Sequence, residues 1–179
     1  MPGLSAPLVA SVIENGIKRP IQMLVDSRSY PAALVLTYSG MDTMAFLSMA
    51  VDRSDVMRSD FIAWVERYIH LTSGQEITAR DLYGARCSAL HGGAHSRLSR
   101  SAECKPLAYV ADSQEFHAPL PGLSVSVRDL VTAFFAGIDV FLADVQADEA
   151  KSSIVEQRLE HLLTTMPYSA VKEKKGTPS

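Results

Sequence analysis

The chain has 179 residues, 47% of them hydrophobic and 21% charged, enough to bury one core and fold as a single domain over 1–179. Its formal net charge of -3 excludes a surface that is basic throughout, and two cysteines, Cys87 and Cys104, are too few for a disulfide framework and lack CxxC spacing for zinc or redox work. The opening Met-Pro-Gly-Leu-Ser-Ala-Pro-Leu has neither the basic start nor the long apolar run of a signal peptide, so a reducing, cytoplasmic setting is expected.

In chain order, apolar residues first take helical spacing at Leu8, Val12, Ile13, Ile17, Ile21 and Leu24, predicting a helix over 6–27 that Pro20 kinks or divides. Over 30–51, Leu34, Tyr38, Met41 and Ala45 line one side while Leu36, Met44 and Leu47 line another. A helix apolar around that much of its circumference is central. Residues 57–70 carry a narrower stripe of Phe61, Ile62, Val65, Tyr68 and Ile69, with Glu66 and Arg67 facing away, which predicts a half-exposed helix closed by Ser73-Gly74.

Thr78 and Asp81 then have the spacing of a capping box for a helix over 78–90, and Gly92-Gly93 stops it. Residues 92–103, rich in Gly, Ser and Arg, read as a loop; 105–111 reads as a short strand or extended segment, and 119–122 as a turn. From Val127 the series Leu130, Val131, Phe134, Ile138, Phe141, Leu142 and Val145 predicts a long helix. Its Asp139 and Asp144, and an apolar run short of the roughly 20 residues that span a bilayer, mark it as a core helix with no role in a membrane. An amphipathic helix over 152–165 and a polar tail over 166–179 follow. The predicted fold class is all-α, a bundle of five to six helices with at most one short β-hairpin and a core over about 28–148.

Chemistry concentrates on the 78–90 helix and the loop after it. Residues 80–105 hold five basic residues (Arg80, Arg86, Arg97, Arg100, Lys105) against Asp81 and Glu103, a local positive excess in an acidic chain. Arg86 shares a helix face with Leu82, Tyr83, Ala89 and Leu90, so an arginine is embedded in an apolar stripe. It either snorkels out or pairs with a buried acid such as Asp42, or it is held on a dry wall to bind phosphate or another oxyanion. His91 follows five residues later, about 140° around an ideal helix. It is a C-terminal cap, or it meets Arg86 through a helix break or a second copy of the segment across a two-fold axis. Cys87 has no evident base to activate it and reads as packing, and no metal constellation or phosphate-binding glycine loop appears.

The segment Asp81-Leu-Tyr-Gly-Ala-Arg86-Cys-Ser-Ala-Leu-His91-Gly, with the preceding helix Tyr30-Pro-Ala-Ala-Leu-Val-Leu-Thr-Tyr-Ser-Gly-Met-Asp42-Thr, resembles the HEPN (higher eukaryotes and prokaryotes nucleotide-binding) superfamily, whose motif is arginine, four to six residues, histidine. The resemblance implies a metal-independent endoribonuclease acting as a homodimer, with no cofactor and two motif helices across one cleft. Arg86 and His91 would then be catalytic, His91 as base toward the ribose 2′-OH and Arg86 against the charge developing on phosphate. Tyr83, His95, Arg97 and Arg100 would contact RNA, with Asp42 and Cys87 in support. The same resemblance implies a defence or toxin–antitoxin setting and a partner of the antitoxin or nucleotidyltransferase type. Cys87 stands where active members commonly carry a polar residue, often asparagine; the superfamily also includes inactive members that only bind or scaffold.

Overall fold

The computed structural model describes residues 6–72, 75–90, 104–111 and 122–165. Helix α1 (Ala6–Ile13) runs through a π-helical stretch (Glu14–Lys18) into α2 (Arg19–Asp26). The expected kink or division at Pro20 is therefore a change of helical pitch with no break: Pro20 sits in the first turn of α2, and the Arg19 N–H donates to the Glu14 carbonyl, five residues back. A proline can donate no hydrogen bond, and the wider turn takes up the mismatch immediately before it.

Helix α3 (Tyr30–Leu47) is the centre of the molecule, packed against α2, α4 (Arg58–Tyr68), α5 (Ala79–Leu90), α6 (Val127–Ala147) and α7 (Glu149–Thr165). Its buried residues include Ala33, Tyr38, Met41, Met44, Ala45 and Leu47. Leu36, expected inside, is 37% exposed. A helix apolar nearly all round gives no sharp stripe from which to choose its outer edge. Counting α1, the π stretch and α2 as one rod, six helical rods make up the described bundle.

α4 contributes Phe61, Trp64, Val65 and Tyr68, and α6 contributes Phe134, Ile138 and Phe141, to one core. Trp64 joins Tyr68, Phe134 and Phe141 at ring-centroid distances of 5.3, 6.0 and 6.4 Å, within the range for favourable aromatic pairs. α6 is long and apolar enough, by length and composition, to cross a membrane, yet Leu130, Phe134, Ile138, Phe141 and Val145 are buried within the bundle. Two of its three acids face outward into ion pairs, Lys18–Asp139 at 2.9 Å and Arg67–Asp144 at 2.7 Å.

The small sheet corrects the expectation of a hairpin. β1 (Leu107–Val110) pairs with β2 (Leu123–Ser126) in parallel, Leu107 opposite Leu123 and Val110 opposite Ser126. A hairpin needs only a tight turn, whereas a parallel pair needs a connection of about a dozen residues or more, and here 12 residues lie between the strands. β2 runs directly into α6, where the Ser126 side chain accepts from the Asp129 N–H and caps the helix. Strand β1 lies against α5 and reaches α3 through the paired hydroxyls of Tyr38 and Tyr109.

Candidate functional site

The start of α5 is fixed by the capping box expected from its sequence. Thr78 N–H and Oγ1 donate to Asp81 Oδ2 at 2.9 and 2.7 Å, and the Asp81 N–H donates to Thr78 Oγ1 at 3.2 Å. A further bond was not legible in the local pattern: the Lys105 N–H donates to Asp81 Oδ1 at 2.6 Å, tying the entry to β1 onto α5. Burial pushes the Asp81 carboxyl up, but the bonds from Thr78 and Lys105 outweigh it and hold it below the usual 3.8.

A carboxylate with a depressed folded-state pKa stabilises the fold above its unfolded value, and that contribution disappears as pH falls through the folded pKa. Asp81→Asn is therefore expected to cost about 2 kcal/mol at pH 7, with the gap to the parent narrowing once pH drops below 3.8. Urea melts of both proteins at pH 7 and pH 3 check this; an equal gap at the two pH values contradicts it.

One turn after the cap, an alanine-sized side chain at Gly84 would place its Cβ 1.9 Å from Cys104 Sγ. Gly84 is thus the seat on which Cys104 rests, and the chain before β1 approaches α5 closely only because that Cβ is missing. Cys87, three residues on, is buried. Both cysteines are free thiols.

Arg86 and Asp42 form the core of the site. Arg86 Nε and Nη2 both donate to Asp42 Oδ2, at 2.9 and 2.6 Å, bringing α5 onto α3. The buried-acid partner considered in the sequence is the one present. Both side chains remain 22% exposed, so the pair sits at the margin of the core with an edge to solvent. Burial lowers the arginine's pKa, while the hydrogen bonds and charge of Asp42 raise it by more, and the guanidinium stays charged.

Tyr83 lies a turn before Arg86, edge-on to Phe61 at 5.7 Å between centroids, with the Arg58 guanidinium 5.6 Å from its ring. Burial first, then the Cys87 thiol, push the Tyr83 hydroxyl above its ordinary 10.0. The structure therefore gathers Asp42, Tyr83, Arg86 and Cys87 on α3 and α5, and adds Arg58 from α4, a residue that nothing in its own segment singled out. His91, His95, Arg97 and Arg100 lie outside the described residues. Among the described residues, no group of three or more His, Cys, Asp or Glu side chains is placed to hold a metal ion.

No protein-family model matches this chain, and neither the curated proteins nor the solved structures searched give a significant match. A fixed guanidinium, half-sheltered beside a tyrosine and a second arginine, is suited to an oxyanion flanked by a planar group.

Proposed function

We propose that this chain is a HEPN-like RNA-binding protein and, as a homodimer, a metal-independent endoribonuclease. What supports the reading is one contact: Asp42 holds Arg86 by two nitrogens on a partly exposed wall of α5, five residues before His91. An arginine restrained in this way presents charge to a phosphate without first losing its rotamer freedom. In the proposed reaction His91 takes the proton of the ribose 2′-OH, the 2′ oxygen attacks phosphorus, and the bond from phosphorus to the 5′ oxygen breaks as that oxygen takes up a proton from solvent, leaving a 2′,3′-cyclic phosphate and a 5′-OH. Arg86 stabilises the charge that gathers on the non-bridging oxygens. Tyr83 offers a stacking face, and His95, Arg97 and Arg100 contribute cations to the RNA backbone. The proposed setting is cytoplasmic defence or a toxin–antitoxin pair, with an antitoxin or nucleotidyltransferase-type protein as partner.

The Arg86–Asp42 pair also favours a second reading, in which Arg86 is structural and the protein is an inactive HEPN-like scaffold. Incubating the purified protein with a mixed RNA pool in EDTA separates the two. Cleavage that is lost in both Arg86→Ala and His91→Ala, each shown to be folded by circular dichroism, supports the ribonuclease. RNA binding without cleavage by the parent protein rules out the enzyme and leaves the scaffold.

A further inference from the structure

Both cysteines of the sequence come to one face of α5, and the proposed reaction uses neither. Cys104 lies outside any helix or strand, just before β1, with its Cβ and Sγ 2.9 and 1.9 Å from where a Cβ on Gly84 would stand. The chain runs along the helix here. The Lys105 N–H meets Asp81 Oδ1 at 2.6 Å, and Cys104 meets Gly84 one turn closer to the C-terminal end of α5. The next turn in that direction carries Cys87.

Side chains on an α-helix tilt toward its N-terminus, so the Cys87 side chain leans back over the turn that holds Gly84. Cβ atoms three residues apart on a helix are about 5–6 Å apart, which places Cys104, in the seat of a Gly84 Cβ, within about one helical turn of Cys87. A disulfide joins Cβ atoms about 3.5–4.5 Å apart, and the irregular segment at Cys104 can close the remaining gap without unwinding α5. The two thiols differ in access. Cys87 is buried and hydrogen-bonded to the Tyr83 hydroxyl and the Arg86 guanidinium, whereas Cys104 is only part-buried. A dissolved oxidant therefore meets Cys104 first, and Cys87 has only to reach the Cys104 sulfur.

We propose that Cys87 and Cys104 are a redox-active dithiol, closed to an intramolecular disulfide by exchange with a small disulfide such as oxidised glutathione. The Cys104 thiolate attacks one glutathione sulfur, forming a mixed disulfide and releasing the other glutathione as a thiol. Cys87 loses its proton to solvent and attacks the Cys104 sulfur; the bond from Cys104 to glutathione breaks, and the second glutathione leaves and takes up a proton. Two protein thiols are oxidised and one glutathione disulfide is reduced to two thiols. Closing the bond draws the Cys87 sulfur away from Tyr83 and Arg86, so the surroundings of the Arg86–Asp42 pair differ between the two forms. The dithiol stands whether or not the protein cleaves RNA.

The full chain is equilibrated with mixtures of reduced and oxidised glutathione, quenched with acid, alkylated and weighed by mass spectrometry. A monomeric product with Cys87 joined to Cys104 and no glutathione attached is expected. Its equilibrium constant should be at least tenfold larger in native buffer than in concentrated urea, where only the tether between the two residues holds them near each other. Cys87→Ser, shown to be folded by circular dichroism, is expected to stop at a glutathione adduct on Cys104, and Cys104→Ser to leave Cys87 unmodified. A disulfide no more favoured in native buffer than in urea, or one formed only between chains, overturns the proposal. So does glutathione lodged on Cys87 in Cys104→Ser as fast as on Cys104 in Cys87→Ser.

Discussion

Gly137→Val is expected to destabilise the protein by about 3 kcal/mol, more than any other single-residue change in α6 of similar added volume. A Cβ at Gly137 would lie 2.6 Å from the carbonyl oxygen of Tyr68, 3.2 Å from its carbonyl carbon and 3.0 Å from Ile69 Cδ1. The first two atoms are backbone at the end of α4 and cannot rotate away as a side-chain terminus would. Helix propensity argues the other way, since alanine in a helix interior is favoured over glycine by about 1 kcal/mol. The clash should win, because relieving it means sliding α4 off α6 and disturbing Trp64, Tyr68 and Phe141 together. Thermal melts of Gly137→Ala and Gly137→Val decide the matter: both should melt below the parent, valine lower. An alanine variant at or above the parent would show that the helices can separate at little cost.

On the proposed ribonuclease reading, RNA cleavage is expected to fall at least a hundredfold in Arg86→Ala and nearly as far in Arg86→Lys, although lysine keeps the charge. Two nitrogens of Arg86 are committed to one oxygen of Asp42, a geometry that an ammonium cannot reproduce while also facing a phosphate. Asp42→Asn keeps shape and hydrogen bonding but removes the charge that orients the guanidinium, and a loss of about tenfold in kcat with little change in KM is expected. A merely structural pair would instead lower stability in each variant and leave the activity of the folded fraction unchanged. Measuring kcat at a temperature well below every variant's melting point distinguishes the two.

How much of this was legible beforehand depended on the distance over which each contact acts. The Thr78–Asp81 box is a three-residue pattern and was readable as such, as was the burial of α6 from its recurring apolar residues. The Arg86–Asp42 pair was accessible because a charge in an apolar stripe needs compensation and few acids share a face with core residues. The Lys105–Asp81 bond, the seat of Cys104 on Gly84 and the Tyr38–Tyr109 contact join segments that local patterns cannot align. Strand direction was missed for a related reason: four-residue segments such as Leu-Ser-Val-Ser carry alternation but no information on which way their partner runs. The outer edge of α3 was misjudged at Leu36 because its composition is apolar on nearly every face.

The parallel pairing of β1 with β2 also bears on the order in which the molecule assembles. Its closure spans 12 residues and is repaid by only four residue pairs, whereas α3, α4 and α6 gain a large shared core when they meet. The helical core is therefore expected to form first and the sheet to dock onto it late. In the native state the reverse step is the least costly subglobal opening: β1 and Lys105 can leave α5 while the aromatic centre stays closed. Amide exchange should then be faster in β1 and β2 than in α3 and α6. The Asp81 carboxylate, which holds the Lys105 N–H, is the latch that sets how often this opening occurs.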